Sequence, residues 1–206
     1  MGSNPAGSTK HLISKIMIDK LTDRITFDLQ DGPYIIGSYV THLIESRFRT
    51  PSWVYNDIDI ICRTENQMRQ LKVNLTPVSD YYNEKERQVV SEMFDVHPLQ
   101  MIWVIDGVTV TASIRDKPAS EQIKTADYTI SAAATDGTLV LASNDTIDDI
   151  KDQVLRMQSF DFNRRCNRKD AAEWIMSKYK TYVSRGYVDK SGEALAELNS
   201  IVTAYM

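Results

Sequence analysis

The chain has 206 residues, 42% of them apolar and 25% charged, with a net charge of −4. This is the make-up of a globular protein long enough for one sizeable core. Two cysteines and three scattered histidines exclude a disulfide framework, a Cys/His zinc site and a readable Ser-His-Asp set. No apolar run is long enough to span a bilayer and no stretch reads as a signal peptide, so the cytoplasm is the expected compartment.

Residues 1–9 are small, polar and rich in breakers, and are expected to be disordered or partly a cloning scar. Leu12, Ile13, Ile16, Met17 and Leu21 then recur at helical spacing up to about residue 23. Asp31-Gly32-Pro33 reads as a turn. It leads into a short apolar strand, Tyr34-Ile35-Ile36, a Gly37-Ser38 step, and the helical pattern Val40, Leu43, Ile44. Ser38 at the helix start can cap it or offer a hydroxyl to a phosphate. Next comes the strand Asp57-Ile58-Asp59-Ile60-Ile61-Cys62. Thr64 to Gln67 has the form of a capping box, which predicts a helix to about Leu75. A further helix is expected from Glu84 to Phe94.

Met101–Ile105 and Val108–Ile114 flank Asp106-Gly107, a strong hairpin signal that makes Asp106 a turn residue. Asp136-Gly137 precedes a short run from Thr138 to Ala142, and a helix is expected from Asp145 through Arg156. The C-terminal part reads as two helices. One runs from about Asn167 to Arg185 and stops at Gly186; the other runs from about Ser191 to Tyr205. From Arg156 to Lys190 there are nine Lys or Arg against four Asp or Glu. That tail is therefore +5 and the remainder −9, which points to an anionic partner near the C-terminal part, or to a solvated helix face.

The chemistry concentrates in Asp57 and Asp59. On a strand, side chains at i and i+2 share a face, so these carboxylates stand side by side, with Cα atoms roughly 7 Å apart. Ile58 and Ile60 point the other way, toward a core. Two close carboxylates repel unless a cation sits between them. Hard oxygen donors suit Mg²⁺ or Mn²⁺, although a strand with one wet face would leave the same pattern.

A strand, a Gly-Ser turn opening a helix and a strand bearing Asp-x-Asp resemble the nucleotidyltransferases of the DNA polymerase β fold. Eighteen residues separate Ser38 from Asp57, a longer gap than that fold usually has, and an enlarged loop through Arg47–Ser52 would absorb the difference. The run Ala126-Asp127-Tyr128-Thr129-Ile130-Ser131-Ala132, followed by Asp148-Asp149-Ile150 and Leu155-Arg156, is similar to a signature of one group within that fold. This is the head domain shared by bacterial-type CCA-adding enzymes and bacterial poly(A) polymerases. Ser113-Ile114-Arg115 sits where that group often has a strand ending in Arg. The resemblance covers roughly residues 34–157.

The resemblance implies an α+β fold, a mixed sheet with flanking helices, as a head over 10–158 with a small helical part over 159–206. It implies transfer of NMP from an NTP, ATP or CTP, to an RNA acceptor such as a tRNA 3′ end. Asp57 and Asp59 would hold the metal, Gly37 and Ser38 the triphosphate, and Asp127 the ribose. Asp161, an acid between Phe160 and Phe162, is the candidate third carboxylate. The chain also departs from the group. The two arginines expected before Asp127 are Thr125 and Ala126 here, and the base-reading Glu-Asp-x-x-Arg has no match after Arg156. Arg156, Arg164 and Arg165, with Arg168, are the candidates for the missing phosphate-binding charge. Tyr179, Tyr182 and Tyr187 are candidates for base stacking or for helix packing. Two other readings stay open: the same chemistry on a protein or small molecule, and a non-catalytic nucleotide- or RNA-binding relative.

Overall fold

The computed structural model describes residues 17–86, 99–158 and 169–204. A helical segment over 17–22 (α1) leads to β1 (Tyr34–Ile36) and α2 (Ser38–Glu45). Then come β2 (Asp57–Cys62), α3 (Glu65–Leu75), β3 (Tyr81–Glu86), β4 (Leu99–Ile105) and β5 (Val108–Ile114). A short helix α4 (Ala119–Gln122) precedes β6 (Ala133–Thr135), β7 (Val140–Ala142), α5 (Asn144–Asp152) and β8 (Val154–Leu155). The chain continues with α6 (Lys169–Ser184), β9 (Val188–Asp189) and α7 (Glu193–Ala204).

The fold is mixed α+β, as expected. Seven strands form one sheet in the order β3-β4-β5-β2-β1-β6-β7, with β2 in the middle. Its pairings are antiparallel except β2 with β5. The register sets Asp57 beside Thr109 and Asp59 beside Thr111 on β5, and Asp59 beside Ile36 on β1. Ile58 and Ile60 are fully buried on the opposite face. They share a core with Val40 and Ile44 of α2 and with Met68 and Leu71 of α3. The period-2 alternation of β2 thus divides an apolar face, covered by helices, from an aspartate face.

Several local expectations hold. Thr64 and Gln67 complete a capping box at α3, and each partner satisfies an otherwise orphaned amide. Asp106 and Gly107 both take positive φ (49° and 76°) between β4 and β5, which matches the twist of the flanking strands. Cys62 is buried.

Other expectations are corrected. Glu84 to Glu86 belong to strand β3, in register with Leu99–Met101 of β4, whereas a helix was expected from Glu84. Tyr82 packs on Trp103 at 5.5 Å between ring centroids. This cross-strand contact favours the sheet over the helical propensity of a Glu/Lys run. The rest of that expected helix, 87–94, lies outside the described residues. The helix begun near Asp145 stops at Asp152 and does not reach Arg156. Gln153 turns left-handed (φ 54°, ψ 44°), and Val154–Leu155 pair with Val188–Asp189. Ser38 does not cap α2: the N-cap is Gly37, without a side-chain cap bond.

The C-terminal helices pack on the sheet domain through tyrosines. Tyr128 donates its hydroxyl to Ile175 O at 2.9 Å, and Tyr182 stacks edge-on against both Tyr128 and Tyr187. Tyr182 and Tyr187 are buried, so helix packing is their role. Gly186, at φ 94°, ends α6 as expected of a residue past a helix end.

Candidate active site

The aspartate face of β2 opens into a cleft of about 370 Å³. Asp57, Asp59 and Ile61, alternate residues of one strand, line it together with Gly37, Thr111, Arg115 and Asp127. Trp174 and Lys178 of α6 complete the wall.

Each aspartate is oriented by a hydroxyl. Ser38 Oγ donates to Asp57 Oδ1 at 2.8 Å, and Thr111 Oγ1 donates to Asp59 Oδ1 at 2.5 Å. The Ser38 hydroxyl therefore orients a carboxylate and does not cap the helix. Gly37 adopts φ 84°, ψ −156°, a conformation that glycine alone takes without strain. A Cβ at Gly37 would stand 2.6 Å from Asp59 Oδ2, so the turn approaches the carboxylate as closely as a backbone can. Gly37 also opens α2, and a helix N-terminus favours negative charge.

Burial is the main cause that pushes the Asp59 carboxyl upward, and the nearby Asp57 charge adds to it. The Thr111 hydrogen bond and the positive charges of Lys178 and Arg115 act the other way. The donor set fits a divalent cation: two hard carboxylates on one face, each held by an outer hydroxyl. Among the described residues no third His, Cys, Asp or Glu joins them at metal-binding distance.

Asp127 lies on the cleft wall, 5% exposed. Its Oδ2 accepts from Lys178 Nζ at 3.4 Å. Thr125 and Ala126 line the same wall and carry no charge. Arg156 is not among the cleft-lining residues. Its guanidinium pairs with the buried Asp149 at 3.1 Å, which also accepts the Thr129 hydroxyl at 2.6 Å. Thr129, Asp149 and Arg156, three parts of the sequence signature, therefore fasten one another. Asp161, Arg164, Arg165 and Arg168 lie outside the described residues. Sequence reasoning missed Trp174 and Lys178. Their i, i+4 spacing on one helix face was the available signal.

No family model and no curated protein sequence matches the chain. Among solved structures it is similar to the Thermotoga maritima CCA-adding enzyme complexed with tRNA(CCA). The TM-score is 0.53 at 14% identity, over 93% of this chain and 42% of that one. It is also similar to a tRNA-processing enzyme with CTP, at TM-score 0.52 and 16% identity, over 83% of this chain and 43% of that one. The chain spans about four tenths of the length of these structures. The likeness shows the fold.

Proposed function

We propose that the protein is a metal-dependent nucleotidyltransferase that moves NMP from an NTP, ATP or CTP, to an RNA acceptor and releases pyrophosphate. A tRNA 3′ end is the first candidate acceptor, because the similar structures are tRNA-processing enzymes. One observation carries the reading. Asp57 and Asp59 share a face of the central strand, and the glycine turn that opens α2 stands directly against Asp59.

In the reaction an acceptor hydroxyl oxygen gives up its proton to solvent and bonds to the α-phosphorus as the bond to the bridging oxygen of the leaving pyrophosphate breaks. Asp57 and Asp59 would hold a divalent cation, which when bound would activate the attacking oxygen and offset the leaving charge. Ser38 and Thr111 fix the two carboxylates in one orientation, so no reorganisation is needed when substrate arrives. The Gly37 backbone, at the turn that closes on Asp59, is the candidate contact for the triphosphate. Asp127 is a candidate acceptor for a ribose hydroxyl. Asp161, Arg164 and Arg165 keep the roles of third carboxylate and phosphate contacts as parts of this proposal. For Arg156 the ion pair with Asp149 supports a structural role instead.

The same chemistry on a protein or small molecule is the second reading, favoured by the missing base-reading motif and the acidity of residues before Arg156. Incubation with Mg²⁺, α-labelled NTPs and total RNA separates the two. Label on RNA is the expected result. Label on protein supports the second reading, and no label on any acceptor contradicts both.

A further inference from the structure

The C-terminal helix α6 contributes a pair of side chains to the cleft whose chemistry the aspartates do not explain. Trp174 and Lys178 are one helical turn apart, and both line the cleft. Lys178 Nζ stands 3.5 Å above the Trp174 ring and 3.4 Å from Asp127 Oδ2. Its charge also reaches Asp59. Trp53 and Trp103 are buried, at 9% and 0% exposed, whereas Trp174 is 45% exposed on the wall of the cleft. An indole in that position presents a flat apolar surface to the cleft, beside the apolar side chains of Ile123 and Ala126 and opposite the aspartates.

We infer that Trp174 and Lys178 form the nucleotide subsite: the base of the incoming nucleoside triphosphate stacks on the Trp174 indole while Lys178 holds its phosphates. The inference rests on the nucleotidyltransferase reading and adds to it the place of the base. The cleft volume is that of a small-molecule pocket, whose usual range begins near about 300 Å³. Without nucleotide, Lys178 is shared between the Asp127 carboxylate and the ring face. Phosphates draw the ammonium toward Asp59, where the charge of the triphosphate gathers, and the ring face passes to the base. Stacking on an aromatic ring accepts every base, since each has a π-face. The subsite therefore selects for a nucleoside triphosphate over bare phosphate without choosing strongly among bases.

The test is calorimetric titration of the full chain with Mg²⁺ and, in separate runs, ATP, CTP and inorganic tripolyphosphate. Trp174→Ala is expected to weaken ATP and CTP by roughly five- to a hundredfold, the worth of one stacked base, and to leave tripolyphosphate unchanged. Trp174→Phe should retain most of the nucleotide affinity. Lys178→Ala should weaken all three ligands. Tryptophan fluorescence of the unaltered chain gives a reading that needs no variant: ATP should quench it and tripolyphosphate should not. The inference is overturned if Trp174→Ala binds ATP as the parent does, if it weakens ATP and tripolyphosphate equally, or if ATP binds without quenching. These failures differ from failure of the underlying reading, in which the parent chain binds no NTP or binds it equally well after Asp57 and Asp59 are replaced.

Discussion

Gly37 stands so close to Asp59 that a methyl group on its Cα would come within 2.6 Å of the Oδ2 oxygen. The turn between β1 and α2 and the middle of β2 are thus fitted to each other at a single carboxylate. Two constraints meet at Gly37: a left-handed φ of 84° and the absence of space for a side chain.

Gly37→Ala tests this fit. The backbone strain alone costs about 1–3 kcal/mol, and Asp59 must also move. The variant should fold with a melting temperature lowered by several degrees and lose most nucleotidyl transfer. A thermal melt alongside an activity assay checks both. Parent-like activity would show that the Asp59 position is not critical.

Asp59→Asn should stabilise the metal-free protein. The folded-state carboxyl is pushed up, mainly by burial. The ionised form therefore costs stability above that raised value, the cost is relieved as pH falls through it, and nothing is left below the ordinary carboxylate range. Asparagine removes the charge and keeps an acceptor for Thr111. In a chelator at neutral pH its melting point should exceed that of the parent, by about 2–4 °C for each 1 kcal/mol recovered. Added Mg²⁺ should raise the parent and not the variant. Calorimetric scans over acid to neutral pH, with and without Mg²⁺, check the sign.

Glu45 is a structural carboxylate, and removing it should unfold the region around it. It is fully buried and accepts from Arg49 Nε at 2.8 Å, Trp53 Nε1 at 2.9 Å and Tyr187 OH at 3.1 Å. Arg49 in turn donates to the last carbonyls of α5, Ile150 O and Lys151 O. Glu45→Ala leaves these donors unpaired and should cost on the order of 3–5 kcal/mol. Urea denaturation should show a lowered midpoint. A shift near zero would mean that the loop after α2 is held by other contacts.

Nucleotide choice should be loose. A site that rejects wrong bases strongly does so by leaving buried polar groups unpaired. In the described cleft the group placed for the base is an indole. Incorporation rates for the four NTPs should differ by less than roughly a hundredfold, the scale that separates weak from strong discrimination. Ribonucleotides should exceed dATP through Asp127. A larger preference for one base would reveal a base-reading group in the chain.

The sequence carried the aspartate pair because period-2 alternation is local: Asp57, Ile58, Asp59 and Ile60 sort themselves between two faces without knowledge of the rest. The Asp106-Gly107 hairpin and the Thr64–Gln67 box were legible for the same reason. β3 was not, because the helical propensity of Glu84–Glu86 yields to a partner strand distant in sequence. The Arg156–Asp149 pair was not legible, because a charge does not reveal its partner. The Ser38–Asp57 hydrogen bond was not legible either, since the two residues lie nineteen positions apart. Lys178 could not be read as part of the cleft until α6 was folded back onto the sheet domain.

We propose metal-dependent nucleotidyl transfer at Asp57 and Asp59. Its most direct test is the rate at which the chain incorporates an α-labelled NTP, with and without Mg²⁺, for the parent, Asp57→Ala and Asp59→Ala. Incorporation should require Mg²⁺ and fall by on the order of a hundredfold or more in either variant, the scale of losing a main electrostatic stabiliser, while both variants stay folded. Incorporation at the parent rate in the two variants, or no incorporation by the parent with any of the four NTPs, would contradict it.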